Sequence, residues 1–539
     1  MGLSGKINKV KHVLHRLVGV LSAPVVRTPG LFAAMVLMLT AVPWTQYVII
    51  KPGKVAPLAA TVQMLSVAMV LVWAVLAVYL LLRQWRRWAA YLWLLPAFVA
   101  LTADWLIDLV LMVVYKSFFN PDIAAVIVST NPGEATDFIS AYGTADGMYC
   151  VFGSLALFIG AYFGMLYLRR IIPVRLHLPL RIAAVVMMLA AVLCMAFMPE
   201  SDVTKTNICG KIDAFTGQDF GQAIEPTGVP LVTDAARAPQ KIVVIIGESL
   251  SRSHCSLYGY GRPTQPHLAR LAADSSLVVF KEPVAPALHT IAAFRYIVGT
   301  WNGEADREWY RCPTFLEVAR RSGYRLSWIS NQSPKGIYDN PVKKIADYCD
   351  RLAFTDNGMI GSKGMRVSDD LDSLLIPMTQ RWNDDIRDLS VIHLLGSHVA
   401  YYLRYPKHYN RFRPADYDRP TRRQRIVLSS YDNTVLYNDM VVSRLMRLYD
   451  RQDAVVIYFS DHAQDLFESD RHFFGHGRDG VPASEAAAAA IPMMVYMTPA
   501  FRRRHPDTEA LIRRAAARPF NTTDLTVLLM QIMHTEFAE

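Results

Sequence analysis

Asp461 and His462 stand together at the end of an apolar run, AVVIYFSDH, where a buried strand should stop and polar chain begin. Such a pair reads in two ways, as a turn holding a hydrogen-bonded histidine or as two neighbouring metal ligands. Three other stretches bear on the choice. KIVVIIGES ends in Glu248 and Ser249, VIHLLGSH ends in His398, and APALHTIAAF puts Thr290 where a helix should begin. Carboxylate oxygens with imidazole nitrogens suit Zn²⁺, and Mn²⁺ less well. A hydroxyl beside a divalent cation at a helix N-terminus is an activated nucleophile, and the same N–H groups favour a phosphoryl oxygen. HFFGHG adds His472 and His476 downstream. Each residue also has a plainer reading: Glu248 as a helix cap, Thr290 as an N-cap, His398 as a hydrogen-bonded core histidine, His472 as a surface residue. Ser249 in GESLS lacks the G-x-S-x-G elbow of serine hydrolases.

These side chains can meet only if the elements carrying them end on one edge. From residue 241 the chain repeats strand, polar turn and helix. KIVVIIGES, LVVFKEPV, RLSWIS, VIHLLGSH, AVVIYFSDH and IPMMVYM read as strands; PHLARLAADS, TIAAFRYIVG and TFLEVARRSGY read as helices. The stretch RQRIVLSSYDNTVLYNDMVVSRLMRLYDRQ reads as a long amphipathic helix whose Asp432 and Asp439 serve packing. The alternation predicts an α/β domain over 241–539 with a mostly parallel sheet covered on both faces. In such sheets sites lie beyond the carboxyl ends of strands. Residues 199–240 read as a linker with one short helix.

The first 198 residues differ. The chain is 52% hydrophobic, and that excess gathers in stretches at 31–50, 55–82, 88–115, 148–168 and 182–198. These predict five transmembrane helices, with a loop at 116–147. No small-residue cleavage site follows the first, so it reads as a retained helix. Lys6, Lys9, Lys11, Arg16 and Arg27, then Arg83, Arg86 and Arg87, then Arg169, Arg170, Arg175 and Arg181 share one side, the cytoplasmic one, against Lys51 and Lys54 on the other. Everything after residue 198 then lies outside. The net charge of +10 belongs largely to these inner loops and calls for no nucleic acid. KINKVKHVLHRLVGVL also suits a basic amphipathic helix on the inner leaflet. Asp104 and Asp108 share one face of the third span and should point into the bundle, as functional candidates. The six cysteines include no C-x-x-C. Cys312 and Cys349 flank a helix–strand unit in the exported part, and a disulfide between them is expected.

VVIIGESLSRSHCSLYGYGRPTQPHL, LHTIAAFRYI, WISNQ, VIHLLGSHVAYYLRYP, YDNTVLYNDMVV and FSDHAQDLFE together resemble the bacterial inner-membrane phosphoethanolamine transferases of the alkaline phosphatase and sulfatase superfamily. The resemblance runs over the whole chain. It implies an N-terminal five-helix membrane bundle and a periplasmic domain of alkaline phosphatase/sulfatase type. It implies zinc held by Glu248, Thr290, Asp461 and His462, with a second ion accommodated near His398 and His476. Thr290 corresponds to the family's nucleophile, and His398 and His476 to its catalytic histidines. The loop VIVSTNPGEATDFIS resembles the segment that binds the lipid donor, through Thr130, Asn131 and Glu134. The implied reaction moves phosphoethanolamine from phosphatidylethanolamine to lipopolysaccharide. The motifs around Thr290 and His398 look more like the branch acting on core heptose than the one acting on lipid A phosphate. The sequence departs from the family at Ala463 and Gln464, where many members have Gly and Glu, at Val126, and at Leu288-His289, where the lipid A branch has Cys-Gly. A phosphoglycerol transferase or phosphodiesterase of the same superfamily and an inactive membrane sensor are the competing readings. The sulfatase motif C-x-P-x-R is absent.

Overall fold

The structure is a computed structural model describing residues 3–50, 58–115, 118–120, 123–124, 126–127, 130, 132–143, 145–173, 176–197, 208–216, 223–304, 308–332, 334, 341–355, 371–468, 474–476 and 487–538. The chain divides into two compact units, one of residues 1–124 and 143–218, the other of 125–142 and 219–539.

Among the described residues of the first unit, five helices are long and apolar enough to cross a membrane: Pro29–Gln46, Thr61–Trp85, Arg87–Tyr115, Gly147–Ile171 and His177–Phe197. The fifth begins five residues earlier than its apolar pattern, because the helix runs through Arg181. The bundle turns large apolar side chains such as Trp88, Leu92, Phe163 and Phe197 outward, as lipid requires and water would penalise. The amino-terminal helix Leu3–Leu21 exposes Val10, Val13, Leu14, Leu17 and Val20 as one stripe. Asp104 and Asp108 are buried, one turn apart, against Lys211 of the short helix Ile208–Thr216. The ammonium lies 2.7 Å from Asp104 and 2.6 Å from Asp108.

The second unit is built on a seven-stranded sheet. Its strands are β1 (Lys241–Gly247), β2 (Leu277–Val279), β3 (Arg325–Ser330), β4 (Arg351–Phe354), β5 (Asp388–His393), β6 (Ala454–Ser460) and β7 (Met493–Met497). The spatial order is β2-β7-β6-β1-β5-β3-β4, and only β7 runs against the rest. β1 alternates between two cores: Ile242, Val244 and Ile246 face one, Val243 and Ile245 the other. LVVFKEPV is split into β2 and a separate short strand, Glu282–Val284, which pairs with Pro519–Asn521. The long helix spans Arg422–Arg447. Its aspartates are structural. Asp439 accepts the His267 and Leu268 N–H groups at the start of the helix Pro266–Ala273, and Asp432 accepts the Tyr260 and Tyr417 hydroxyls beside His254.

The expected Cys312–Cys349 disulfide is not formed. Cys349 is a free thiol packed with Ile345 and Ala346 in one core, while the Cys312 thiol donates to the Glu308 carbonyl. Sequence spacing limits neither the separation of two cysteines nor the direction of their Cβ bonds. Lys51, Lys54, His472 and Asn131 lie outside the described residues, as does the side chain of Cys209.

Breaking a buried ion pair from one side leaves charge without compensation, at about 3–5 kcal/mol. Lys211→Met should therefore lower the melting temperature of the detergent-solubilised protein. Adding Asp104→Asn and Asp108→Asn to the same chain should restore most of the loss. An unchanged melting temperature in Lys211→Met would show that the three groups do not depend on one another.

Candidate metal centre and its relatives

β6, β1 and β5 are parallel neighbours in register, Gly247 opposite Ser460 and Ile246 opposite His393. The residue after each strand therefore emerges on the same edge. Glu248 follows β1 and Asp461 follows β6. The loop Leu394–His398 follows β5, which ends five residues before the expected strand terminus at His398. That loop is held tightly. Asp372 accepts the N–H groups of Leu395 and Gly396 and the Asn331 amide, and the Ser397 N–H donates to the Glu248 carbonyl at 2.9 Å. Gly396 has φ +54, and a Cβ there would lie 2.6 Å from the Glu248 carbonyl oxygen. Only glycine lets the histidine loop pass this close to the carboxylate.

Thr290 opens the helix Thr290–Ile297. The N-cap is His289, and the Thr290 side chain turns away from a capping role. Its hydroxyl donates to Glu248 Oε2 at 3.1 Å and lies 3.2 Å from His462 Nε2. Glu248, Asp461 and His462 bring one ligand atom each to within 4.8 Å of one another, all buried. Asp461 Oδ1 is saturated by the His462 and Ser249 N–H groups at 2.7 and 3.2 Å. Among the described residues Oδ2 is buried with no hydrogen-bond donor. The His462 Nδ1–H donates to the Ala463 carbonyl at 2.9 Å, which leaves the Nε2 lone pair directed at Glu248 and Asp461, 3.2 and 3.5 Å away. A lone pair, a hydroxyl oxygen and two carboxylates converging in a dry site are a donor set for a divalent cation, and the orphaned Asp461 oxygen fits one.

The electrostatics say the same. Burial, and then the neighbouring Glu248, push the Asp461 carboxyl up to about 8. Burial opposes charge on His462, yet Asp461 and Glu248 hold its imidazole up to about 9. Burial alone would raise Glu248, but His462 holds it well below the usual range. With no cation beside it, a proton on His462 Nε2 supplies the positive charge that the carboxylates need, and a bound cation would take that proton's place.

His476 reaches this cluster through a hairpin of two-residue strands, Asp465–Leu466 and Phe474–Gly475. Its ring stands edge-on to His462 at 4.8 Å and to His289 at 4.7 Å. Burial lowers His289 to about 3 and His398 to about 4, and lowers His476 as well, so all three imidazoles are neutral at pH 7. Among the described residues, Nδ1 of His289 and of His398 is buried without a partner. Thr130 lies in the second unit, its hydroxyl donating to the Val126 carbonyl at 2.7 Å. Glu134 lies on the helix Pro132–Tyr142, its side chain outside the described set.

Sequence reasoning missed four supports. The Ser249 hydroxyl donates to Glu248 Oε1 at 2.6 Å, the Gln332 amide donates to Oε2 at 3.2 Å, Gln464 bonds Ser249, and His289 precedes Thr290. Gln332 could have been suspected, since WISNQ also ends a strand of the same edge. A cleft of about 550 Å³ lies at the opposite edge of the sheet, between Arg237, Asp453, His505 and His534, and contains none of these residues.

A sheet of this order with metal donors at its carboxyl edge is an alkaline phosphatase/sulfatase-type domain. The sulfatase family model matches residues 240–535, and the chain belongs to that family. Phosphoethanolamine transferase EptC of Escherichia coli (strain K12) is 25% identical over 463 residues, covering 77% of this chain and 78% of that one. The integral membrane protein lipooligosaccharide phosphoethanolamine transferase A (EptA) of Neisseria meningitidis matches in fold with TM-score 0.61, 19% identity and 95% of each chain. The crystal structure of the periplasmic domain of EcEptC from Escherichia coli in complex with Zn matches with TM-score 0.51 and 24% identity, over 58% of this chain and 87% of that one. The present chain is thus a multi-pass membrane protein with a sulfatase-family domain.

Metal binding must displace protons from Asp461 and His462, so affinity for zinc should fall as pH is lowered from about 9 to 6. The fall should approach about tenfold per pH unit for each proton displaced. Isothermal calorimetry of the metal-stripped protein, in buffers of different ionisation enthalpy, should count one to two protons released near pH 7. Asp461→Asn should bind zinc more weakly and release fewer protons. A pH-independent affinity would exclude these two residues as the ligands.

Proposed function

We propose that this protein transfers phosphoethanolamine from phosphatidylethanolamine to lipopolysaccharide through a phosphothreonine at Thr290, with zinc held by Glu248, Thr290, Asp461 and His462. The observation that carries the reading is the Thr290 hydroxyl, set between Glu248 and His462 on the first turn of a helix. When bound, zinc lowers the pKa of that hydroxyl and offsets charge on a phosphoryl oxygen. Thr290 Oγ attacks the donor phosphorus as its proton passes to a neutral imidazole of the His398–His476 pair. The bond from phosphorus to the diacylglycerol oxygen breaks, and the Thr290 proton is the one the departing diacylglycerol finally carries. The N–H groups of the helix hold the phosphoryl oxygens meanwhile. In the second half an acceptor hydroxyl gives its proton to a neutral imidazole of the His398–His476 pair as its oxygen attacks the phosphothreonine. The P–Oγ bond breaks and the proton returns to Thr290.

Thr130, Asn131 and Glu134 would hold the donor headgroup, Glu134 through a charge-assisted bond to its ammonium. A second zinc would sit near His398 and His476. The arginine-rich loops support a bacterial inner-membrane setting with the catalytic domain in the periplasm. Core heptose is the favoured acceptor, on the resemblance of the Thr290 and His398 motifs, with lipid A phosphate next.

Incubation with phosphatidylethanolamine and no acceptor should leave a phosphoethanolamine adduct on the Thr290 peptide, seen by mass spectrometry and absent in Thr290→Ala. An adduct on Ser249, or transfer with no adduct, would overturn the covalent route. Deleting the gene and comparing lipid A with core oligosaccharide should show phosphoethanolamine lost from the core. Loss from lipid A alone would reverse the order of acceptors.

A further inference from the structure

The helix Pro132–Tyr142 lies between two membrane spans in sequence, yet it belongs to the same compact unit as the sulfatase-type sheet. Two of its side chains explain why, and each leads to a different histidine. Asp137 is buried and pairs with the buried Arg404 at 2.5 Å. The same guanidinium donates to the His398 carbonyl at 3.2 Å and the Val399 carbonyl at 2.8 Å. The next residue, Ala400, has φ +65, a conformation an alanine keeps only where its surroundings impose it. One turn further on, Tyr142 stacks on Phe474 with centroids 4.9 Å apart and planes at 18°. Its hydroxyl reaches the Phe474 carbonyl at 3.5 Å. Phe474 sits in the two-residue strand that delivers His476. Asp372 pins the loop ahead of His398, and Arg404 takes over at the carbonyls of His398 and Val399. Among the described residues the hairpin of His476 shows two residue pairs, and Nδ1 of His398 has no partner.

We propose that the helix Pro132–Tyr142 is a positioning element of the active site. Through Asp137–Arg404 it holds the backbone that presents His398, and through Tyr142–Phe474 it holds the hairpin that presents His476. The inference rests on the functional reading above for what the two histidines do. It adds that the segment assigned there to the donor headgroup is continuous with the helix that sets both imidazoles. The two ends of the segment then have separable kinetic signatures. Changes at 137 and 142 displace the groups that handle protons, whereas changes at Glu134 weaken donor binding.

The test uses the full-length protein in detergent, with two substrates: phosphatidylethanolamine with a lipopolysaccharide acceptor, and a soluble chromogenic phosphodiester that needs no headgroup site. Asp137→Asn and Tyr142→Ala should each lower kcat on both substrates, by up to about 100-fold, the scale of a small misplacement of a catalytic group. Their KM for the donor and their zinc content should stay as in the parent. Tyr142→Phe, which keeps the stacked ring, should recover most of the kcat lost in Tyr142→Ala. Glu134→Gln should raise KM for the lipid and leave the chromogenic reaction alone. Ile139→Ala, on an exposed position of the same helix, should act like the parent. The proposal is overturned if Asp137→Asn and Tyr142→Ala keep parental kcat, or if their losses come with lost zinc or with a raised KM at constant kcat. If the parent cleaves the chromogenic substrate but never transfers from the lipid, and the kcat losses persist, the donor assignment fails while the positioning role stands.

Discussion

Glu248 and Asp461 are buried against one another, and two carboxylates in a dry site cannot both be ionised without a cation beside them. The rest of the site follows from that demand. Backbone N–H groups of Ser249 and His462 saturate one oxygen of Asp461, so the other is left facing inward. The Ala463 carbonyl takes the Nδ1 proton of His462, so its second nitrogen is left facing inward too. Thr290 brings its hydroxyl into the same gap. A nucleophile placed there shares in whatever positive charge the carboxylates recruit, which is what an alcohol needs to act as an oxyanion near neutral pH.

Holding such a cluster together is work for the scaffold, and its cost is visible in the backbone. Non-glycine residues with positive φ include Ser249, Ala400 and Phe467. Each stands at a bend that a site residue depends on: after Glu248, after His398, and at the entry to the hairpin returning His476. Strain of this kind persists where surrounding contacts over-determine the conformation. The contacts are present. Ser249 is held through its N–H by Asp461, its carbonyl by Tyr431 and its hydroxyl by Glu248 and Gln464. Asp372 pins the loop before His398, and burial raises its carboxyl even as three donors converge on it.

The centre of the sheet is readable in the sequence because its strands are fully buried. Runs such as IVVIIG and AVVIYF are apolar throughout and give way at once to polar chain at Glu248 and Ser460-Asp461, so strand ends and donor residues coincide. The five membrane-capable helices are readable for a similar reason, as length and hydropathy carry the signal without any knowledge of neighbours. Strands of two residues have no period to detect, so the hairpin that turns His476 back onto His462 is invisible before the fold is known. The place of the helix Pro132–Tyr142 is hidden differently. Chain order assigns it to a loop between spans, whereas Asp137 and Tyr142 find their partners more than 250 residues later, at Arg404 and Phe474. The cysteines misled for want of direction: two thiols flanking one helix–strand unit are near in sequence terms, yet Cys349 faces the core.

Gln464 shows what a departure from the family pattern does physically. The Tyr401 hydroxyl donates to its amide oxygen, its amide nitrogen donates to Ser249 Oγ at 3.1 Å, and Ser249 donates to Glu248 Oε1 at 2.6 Å. An amide has both an acceptor and a donor, so the chain of bonds has one direction, and it ends with a hydrogen aimed at Glu248 Oε1. A glutamate at 464 would have only acceptors to offer when ionised. Ser249 has a single hydrogen and would have to serve one carboxylate or the other. That carboxylate would also add negative charge to a pocket that already holds the carboxyl groups of Glu248 and Asp461. With glutamine, Glu248 keeps its hydrogen bond and the pocket keeps its charge. The loss of a carboxylate at this position is therefore compatible with an intact centre, because the polar link from Tyr401 through Ser249 to Glu248 is complete without it.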